Sequence, residues 1–282
     1  MAEAALVNVI WASTFVLIKI GLNGLGPLTL GGLRYFGGFV LLLPLLARNA
    51  AASPRAWSPR VWLKLVLIGV SSYALGNGAL FWGLQFMPAT TGSFLLGLVP
   101  LPVLFLGIVW LKEIPTRRQI AGMLVVLVGS ALFFSPGLRA GAPQAIAVVT
   151  VGLVGFALFG IWGREVARDQ LVDTLSLTAF PLAFGGGLLL LIALGAEGLP
   201  RFSAQSLVVV LWLAAINTAL AYMVYNHSLQ VLTAFEMNVM MSLAPLITAV
   251  IAWAFLGERS DPLQIVGMTV VVIGVALVQW GG

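Results

Sequence analysis

The sequence contains no cysteine and a single histidine, His227, in 282 residues. Without thiols, neither a disulfide framework nor a thiolate metal site can form, and one imidazole is too few for a histidine-based metal cluster. No metal and no cofactor are expected. Charge is scarce as well: 14 lysines and arginines and 9 acidic residues make up 8% of the chain, against roughly 25% in a soluble domain. Apolar residues fill 61% of the sequence and the mean hydropathy is +1.09. A water-soluble fold of this length could not cover its own surface, which excludes soluble enzymes, nucleic-acid binders and disordered chains. The net charge of +5 is therefore no nucleic-acid footprint. In a membrane chain the placement of basic residues matters more than their sum.

A helix needs about 20 apolar residues to cross a hydrocarbon core of roughly 30 Å. Ten such runs lie between charges and Pro, Gly or Asn breaks, at approximately 4–22, 28–47, 62–83, 90–111, 118–135, 145–163, 172–194, 205–228, 235–256 and 262–280. They lack the alternating polarity of barrel strands, and the loops between them are too short to fold separately. The expected fold is an all-α integral membrane protein of ten transmembrane helices, with the lipid bilayer as its first partner. The opening run starts at Ala4 without a basic flank and is long enough to span, so it reads as a helix and not as a cleavable leader. Loops 48–64, 112–118 and 164–171 fall on one side of a ten-span chain and hold Arg48, Arg55, Arg60, Lys64, Lys112, Arg117, Arg118, Arg164 and Arg168. The other side holds Arg139, Arg201 and Arg259. This excess predicts that the basic side and both termini are cytoplasmic.

Sliding the chain against itself by 145 residues leaves 17 identities in the 49 positions from Leu84 to Leu132, without a gap. They include Gln85/Gln230, Ala89/Ala234, Pro100/Pro245, Glu113/Glu258, Gln119/Gln264, Gly122/Gly267, Met123/Met268 and Gly129/Gly274. Shared apolar composition produces leucine matches, but isolated Pro, Glu and Gln pairs point to duplication. The shift maps the third to fifth spans onto the eighth to tenth, giving two five-helix units, 1–137 and 138–282. Five is odd, so the second unit is expected to enter the membrane from the opposite face. Inverted repeats are the architecture of alternating-access transporters, with the substrate near the midplane between the halves. A duplicated scaffold without a transport role is the other reading of the repeat.

The opening Trp11-Ala12-Ser13-Thr14-Phe15 followed by Lys19, then Pro27-Leu28 and Arg34-Tyr35, resembles the drug/metabolite transporter superfamily in its EamA-domain branch. Leu111-Lys112-Glu113 and Leu256-Gly257-Glu258, closing the fourth and ninth spans, are similar to that family's pattern too. Ala12 stands where the family usually has glycine. The resemblance covers nearly the whole chain and implies a bacterial inner-membrane carrier, generally an exporter of amino acids or other small metabolites. Among ten-helix members the chain looks most like exporters of aromatic and apolar amino acids.

Charged groups in lipid cost about 2.5–3.5 kcal/mol on insertion scales, so each needs a reason. Lys19, near the outer end of the first span, reads as snorkelling to the headgroups. Arg34 lies about 9 Å into the second span at 1.5 Å per residue. It either pairs with carbonyls or attracts a substrate carboxylate. The acids fall at helix ends or in loops, with Glu236 alone at the start of a span, where a carboxylate suits the positive end of the helix dipole. His227 sits at the interfacial end of the eighth span and reads as structural. No proton relay is visible, which favours neutral or zwitterionic solutes over cationic drugs.

Uncharged polar groups mark the expected cavity. Tyr73 and Asn77 are spaced to share a face of the third span, and Tyr222 and Asn226 repeat that spacing in the eighth. Asn238 and Ser242 do so in the ninth, while Trp11 and Thr14 share a face of the first. Facing lipid these groups would be unsatisfied, so they are expected to point inward, either contacting substrate or bonding helix to helix. The candidate substrate-binding set is Trp11, Thr14, Arg34, Tyr73, Asn77, Tyr222, Asn226, Asn238 and Ser242. Pro100 and Pro245 occupy equivalent places and predict duplicated kinks, either hinges for rocking or static bends. Gly122/Gly129 and Gly267/Gly274 read as close helix packing. Met237, Met240 and Met241 read as adaptable filling.

There is no Walker loop for ATP drive and no catalytic constellation. The expected function is a secondary transporter of small metabolites, with drug efflux as the alternative within the class. An intramembrane enzyme acting on lipid-linked substrates is the rival from another class, and a channel suits the repeat less well. A closed two-unit bundle needs no partner subunit, so a monomer is expected.

Overall fold

The computed structural model describes residues 2–21, 25–49, 57–83, 86–87, 89–137, 142–244, 246–247, 250 and 261–280. Every regular element among them is helical. In chain order we label α1 (Ala2–Gly21), α2 (Pro27–Arg48), α3 (Pro59–Gly83), α4 (Ala89–Leu96, resuming at Pro100–Leu106 and Gly107–Leu111) and α5 (Arg117–Phe134). The second half continues with α6 (Pro143–Arg168), α7 (Thr174–Glu197), α8 (Ala204–Ser228), α9 (Ala234–Met241, its described part) and α10 (Pro262–Trp280). Among the described residues, 8 helical runs are long and apolar enough to cross a membrane. Eight of the ten expected spans coincide with these, α1 covers the first, and α9 covers the start of the ninth, most of which lies outside the described residues. Large apolar side chains such as Leu41, Val128, Leu191 and Trp212 lie on the outer surface, as a protein surrounded by hydrocarbon requires.

Local chemistry starts most of these helices. Side-chain caps come from Ser58 on α3, Thr116 with Gln119 on α5, Asp173 on α7, Ser203 with Ser206 on α8 and Thr233 with Glu236 on α9. The Glu236 carboxylate is thus the capping group that its position suggests, and its Oε1 also accepts from Gln119 Nε2 at 3.0 Å. The N–H of Asp261 donates to Gln264 Oε1 at 2.9 Å, as Thr116 N–H does to Gln119 Oε1 at 2.8 Å, one repeat earlier. α2 is capped from a distance. Gly26 has no side chain to offer, and Glu197 at the end of α7 accepts from the N–H groups of Leu28 and Thr29 at 3.0 and 2.8 Å. That sets a negative charge on the positive end of the helix dipole.

Four helices carry π-helical turns among the described residues, those at Gly107–Leu111 in α4 and Leu182–Gly186 in α7 included, and two of the four lie at equivalent places. Val70–Gly76 in α3 and Ala215–Leu220 in α8 are π-helical, and their first residues are 145 apart. In α4 the duplicated proline does not bend a continuous helix, as its spacing predicts. The helix stops at Leu96, turns through residues 97–99 and restarts with Pro100 as its first residue. At that position the N–H that proline lacks would have had no intrahelical acceptor anyway. Pro245 lies outside the described residues, as does the Lys19 side chain.

The halves interlock with exchanged partners. α1 packs on α8 and α9, and the equivalent α6 packs on α3 and α4. α2 packs on α8, and its equivalent α7 packs on α3; α2 with α7, α4 with α9 and α5 with α10 pair directly. α5 and α10 run antiparallel. A Cβ on Gly122 would stand 2.8 Å from Gly274 O, and one on Gly129 would stand 2.9 Å from Gly267 O. Ascending one helix therefore means descending the other, and no side chain fits between them.

Candidate functional site

All four tyrosines of the chain converge where α1, α2, α3, α6 and α8 meet, each at least nine-tenths buried. Ring centroids lie 4.7 Å apart for Tyr35–Tyr73, 5.2 Å for Tyr73–Tyr222 and 5.1 Å for Trp11–Tyr222. Tyr225 lies 5.5 Å from Trp11 and stacks on Phe159 at 5.4 Å. Tilted and edge-on contacts of this kind are worth about 0.5–1.5 kcal/mol each beyond area burial, so the box is a rigid wall. It borders a cavity of ≈ 260 Å³. Phe81, Phe133, Phe134 and Phe156 line the rest of the apolar surface, and Thr14, Arg34, Ser72, Asn77, Ser130, Asn238 and Ser242 supply polar groups.

Asn217, on α8 and fully buried, organises the polar side. Its Nδ2 donates to Ile10 O at 2.7 Å, to Thr14 Oγ1 at 2.9 Å and to Ser13 Oγ at 3.0 Å, binding α8 to α1. Its backbone carbonyl accepts from Trp11 Nε1 and from an Arg34 terminal nitrogen, each at 3.1 Å. The π-helical turn accounts for this availability: the N–H of Ala221 passes over Asn217 and bonds to the carbonyls of Ile216 and Thr218. The corresponding carbonyl in α3, Ser72 O, receives Asn77 Nδ2 at 2.9 Å. Thr218 Oγ1 accepts from Arg34 Nε at 2.9 Å.

Trp11, Thr14, Arg34, Asn77, Tyr222, Asn238 and Ser242 from the candidate set line the cavity. Arg34 bonds to Thr218 and to the Asn217 carbonyl, and Asn238 Nδ2 bonds back to Ala234 O at 2.9 Å. Tyr73 stands behind the lining, against Tyr35 and Tyr222. Its ring is held among those of its neighbours, whereas Asn77, one turn on, reaches the cavity. Asn226 is also elsewhere, with Nδ2 on Thr178 Oγ1 at 3.0 Å, joining α8 to α7. Tyr35, Ser72, Phe159, Asn217, Thr218 and Tyr225 were not singled out by spacing. One signal was present for the central one: Asn217 stands one repeat length after Ser72, so both copies carry a polar residue there.

The end bearing the basic loops is tied by charge. Glu113 accepts from Arg164 Nε at 2.9 Å, and another Arg164 nitrogen donates to Leu229 O at 2.7 Å. Lys64 pairs with Glu165 at 2.9 Å, and His227 Nδ1 meets Glu3 at 2.9 Å. In the other direction the cavity lining reaches Phe81 and Phe134, near the far ends of α3 and α5.

The sequence profile of the EamA-like transporter family matches residues 3–135 and 143–280. An uncharacterized transporter of Archaeoglobus fulgidus is 29% identical over 284 residues, covering 97% of this chain and 94% of that protein. A probable terminal-alkyne amino-acid exporter of Streptantibioticus cattleyicolor is 26% identical over 278 residues, covering 96% and 90%. An S-adenosylmethionine/S-adenosylhomocysteine transporter of Chlamydia trachomatis is 26% identical over 288 residues, covering 95% and 85%. A solved crystal structure superposes with a TM-score of 0.83 over 99% of this chain and 96% of that one, at 15% identity, a likeness of fold. With both halves matched, the chain belongs to the EamA-like transporter family and is a multi-pass membrane transporter, not an enzyme.

Proposed function

We propose that the protein is a secondary transporter working by alternating access, exporting small zwitterionic metabolites, foremost amino acids with aromatic or apolar side chains. The observation that carries this is the aromatic box bordering a cavity of amino-acid scale, with no carboxylate among its described lining residues. Aromatic faces suit apolar and aromatic side chains, and hydroxyls and amides orient the polar end. In this reading Trp11, Thr14, Arg34, Asn77, Tyr222, Asn238 and Ser242 meet the solute, while Tyr73 and Asn226 hold the wall from behind.

Two units, 1–137 and 138–282, related by inversion, provide the rocking mechanism. The antiparallel α5–α10 seam and the exchange of helix partners between halves support that relation. With the basic loops in the cytoplasm of a bacterial inner-membrane protein, the ion pairs of Glu113, Arg164, Lys64 and Glu165 close the inner end of the path. The break at residues 97–99 before Pro100 is the proposed hinge in the first unit, with Pro245 its counterpart in the second. A monomer suffices, since the two units complete the cavity between them.

The test is uptake into proteoliposomes across an amino-acid panel, with and without imposed pH and sodium gradients. Saturable phenylalanine uptake, reduced at least severalfold by Trp11→Ala, Asn77→Ala and Tyr222→Ala, is expected. Uptake unchanged in all three variants would remove the cavity from the path. A strict proton requirement would contradict a cavity lined without acids. The phenylalanine-rich part of the lining favours a second reading, efflux of hydrophobic drugs. Drug transport without amino-acid transport would select it.

A further inference from the structure

Among the described residues, Arg34 is the one lining residue with a formal charge, and no carboxylate comes within ion-pair distance of it. Its side chain is buried at 5% exposure within α2. The contrast with the other buried cation is direct: Arg164 meets a carboxylate at 2.9 Å, as do the more exposed Lys64 and Arg168. Arg34 has only neutral neighbours, the Thr218 hydroxyl, the Asn217 carbonyl and the Tyr35 ring, whose centroid lies 5.1 Å from the guanidinium carbon. A guanidinium carries five N–H donors and cannot shed its charge. Nε and one terminal nitrogen are engaged, and the other terminal nitrogen has no hydrogen-bond acceptor among the described residues.

The fork is also held in place. Thr218 and Asn217 fix two of its nitrogens, and Asn217 is itself fixed by three acceptors on α1. A buried cation that is oriented yet not neutralised, facing a small aromatic cavity, is a preorganised anion site. We infer that Arg34 binds the carboxylate of the transported solute, so that a carboxylate is the obligatory recognition group and the amine is dispensable. Among the described residues no acid lines the cavity to pair with an ammonium group, and the aromatic faces are the available partners for it. The inference rests on the transport reading above and names the charged end of its substrate.

The experiment is a titration calorimetry comparison on the purified wild-type protein in detergent, using four ligands of shared shape: phenylalanine, 3-phenylpropionate, phenylalaninamide and phenethylamine. The two carboxylates are expected to bind, and the two ligands lacking one to bind at least about tenfold more weakly, the scale of one charge-assisted hydrogen bond. Arg34→Lys, which keeps the charge without the fork, is expected to weaken both carboxylates about tenfold. Arg34→Gln should abolish the discrimination. Equal binding of phenylalanine and phenylalaninamide, no binding of 3-phenylpropionate, or discrimination retained in Arg34→Gln would each overturn the assignment. The wild-type comparison needs no variant to fold. Should the liposomes take up no amino acid while 3-phenylpropionate binds in an Arg34-dependent way, the transport reading fails and the anion site stands.

Discussion

Asn217 shows how one amide can organise a membrane site. Its side chain reaches three acceptors on α1, and its carbonyl serves the two donors that face the cavity from Trp11 and Arg34. In a bilayer these groups have no water to turn to, so their mutual satisfaction fixes their positions. Interhelical hydrogen bonds in membrane proteins average about 0.6 kcal/mol each, and the amide has two protons to share among its three acceptors, so Asn217→Ala is expected to cost about 1 kcal/mol. A thermal unfolding series in detergent reads that as a lowered midpoint, and an unchanged midpoint would mean that α1 is held by other contacts. The variant should also weaken solute binding, because the Arg34 fork loses its oriented support.

At the scale of the element, two devices matter: the π-helical turns and the glycine seam. The π-helical turn in α8 leaves the Asn217 carbonyl to the side-chain donors of Trp11 and Arg34, whereas the Ser72 carbonyl, at the equivalent place in α3, takes both the backbone N–H and the side-chain Nδ2 of Asn77. The glycine seam was legible, because Gly122, Gly129, Gly267 and Gly274 recur at one interval and small residues permit close approach. Only the structure shows which glycine meets which. A Cβ on Gly129 would sit 2.6 Å from Val271 N, backbone that cannot swing aside. Gly129→Ala is therefore expected to destabilise by about 1–3 kcal/mol through overpacking. Gly195→Ala in α7, where a Cβ meets nothing within 4 Å, is the control, and its melting midpoint should not fall. Equal midpoints for the two variants would refute the close seam.

For the whole molecule, the cavity lies on one side of a charged closure. If rocking exchanges the closed end, the pairs of Glu113 with Arg164 and Lys64 with Glu165 must part for solute to pass the basic end. Glu113→Gln removes one partner and is expected to favour that opening. The cysteine-free chain makes the test direct, because an introduced Phe159→Cys is the sole thiol. Its labelling by an impermeant maleimide applied from the basic side should quicken at least severalfold when Glu113→Gln is added. Identical labelling rates would exclude this closure as the barrier.

Composition and periodicity by themselves determined the solvent, the spans and the duplication. Hydrocarbon admits only apolar helices of bilayer length, and the duplication is a property of the text itself. Arg34 was legible as an anomaly, a charge inside a span, because its cost is set by depth alone. Its partners were not legible, since Thr218 and Asn217 are far away in sequence and meet it only when α2 packs on α8. Whether an inward-facing amide reaches a cavity, as Asn77 does, or a neighbouring helix, as Asn226 does, depends on helix rotation. Periodicity sets which residues share a face, and interhelical packing decides what that face meets.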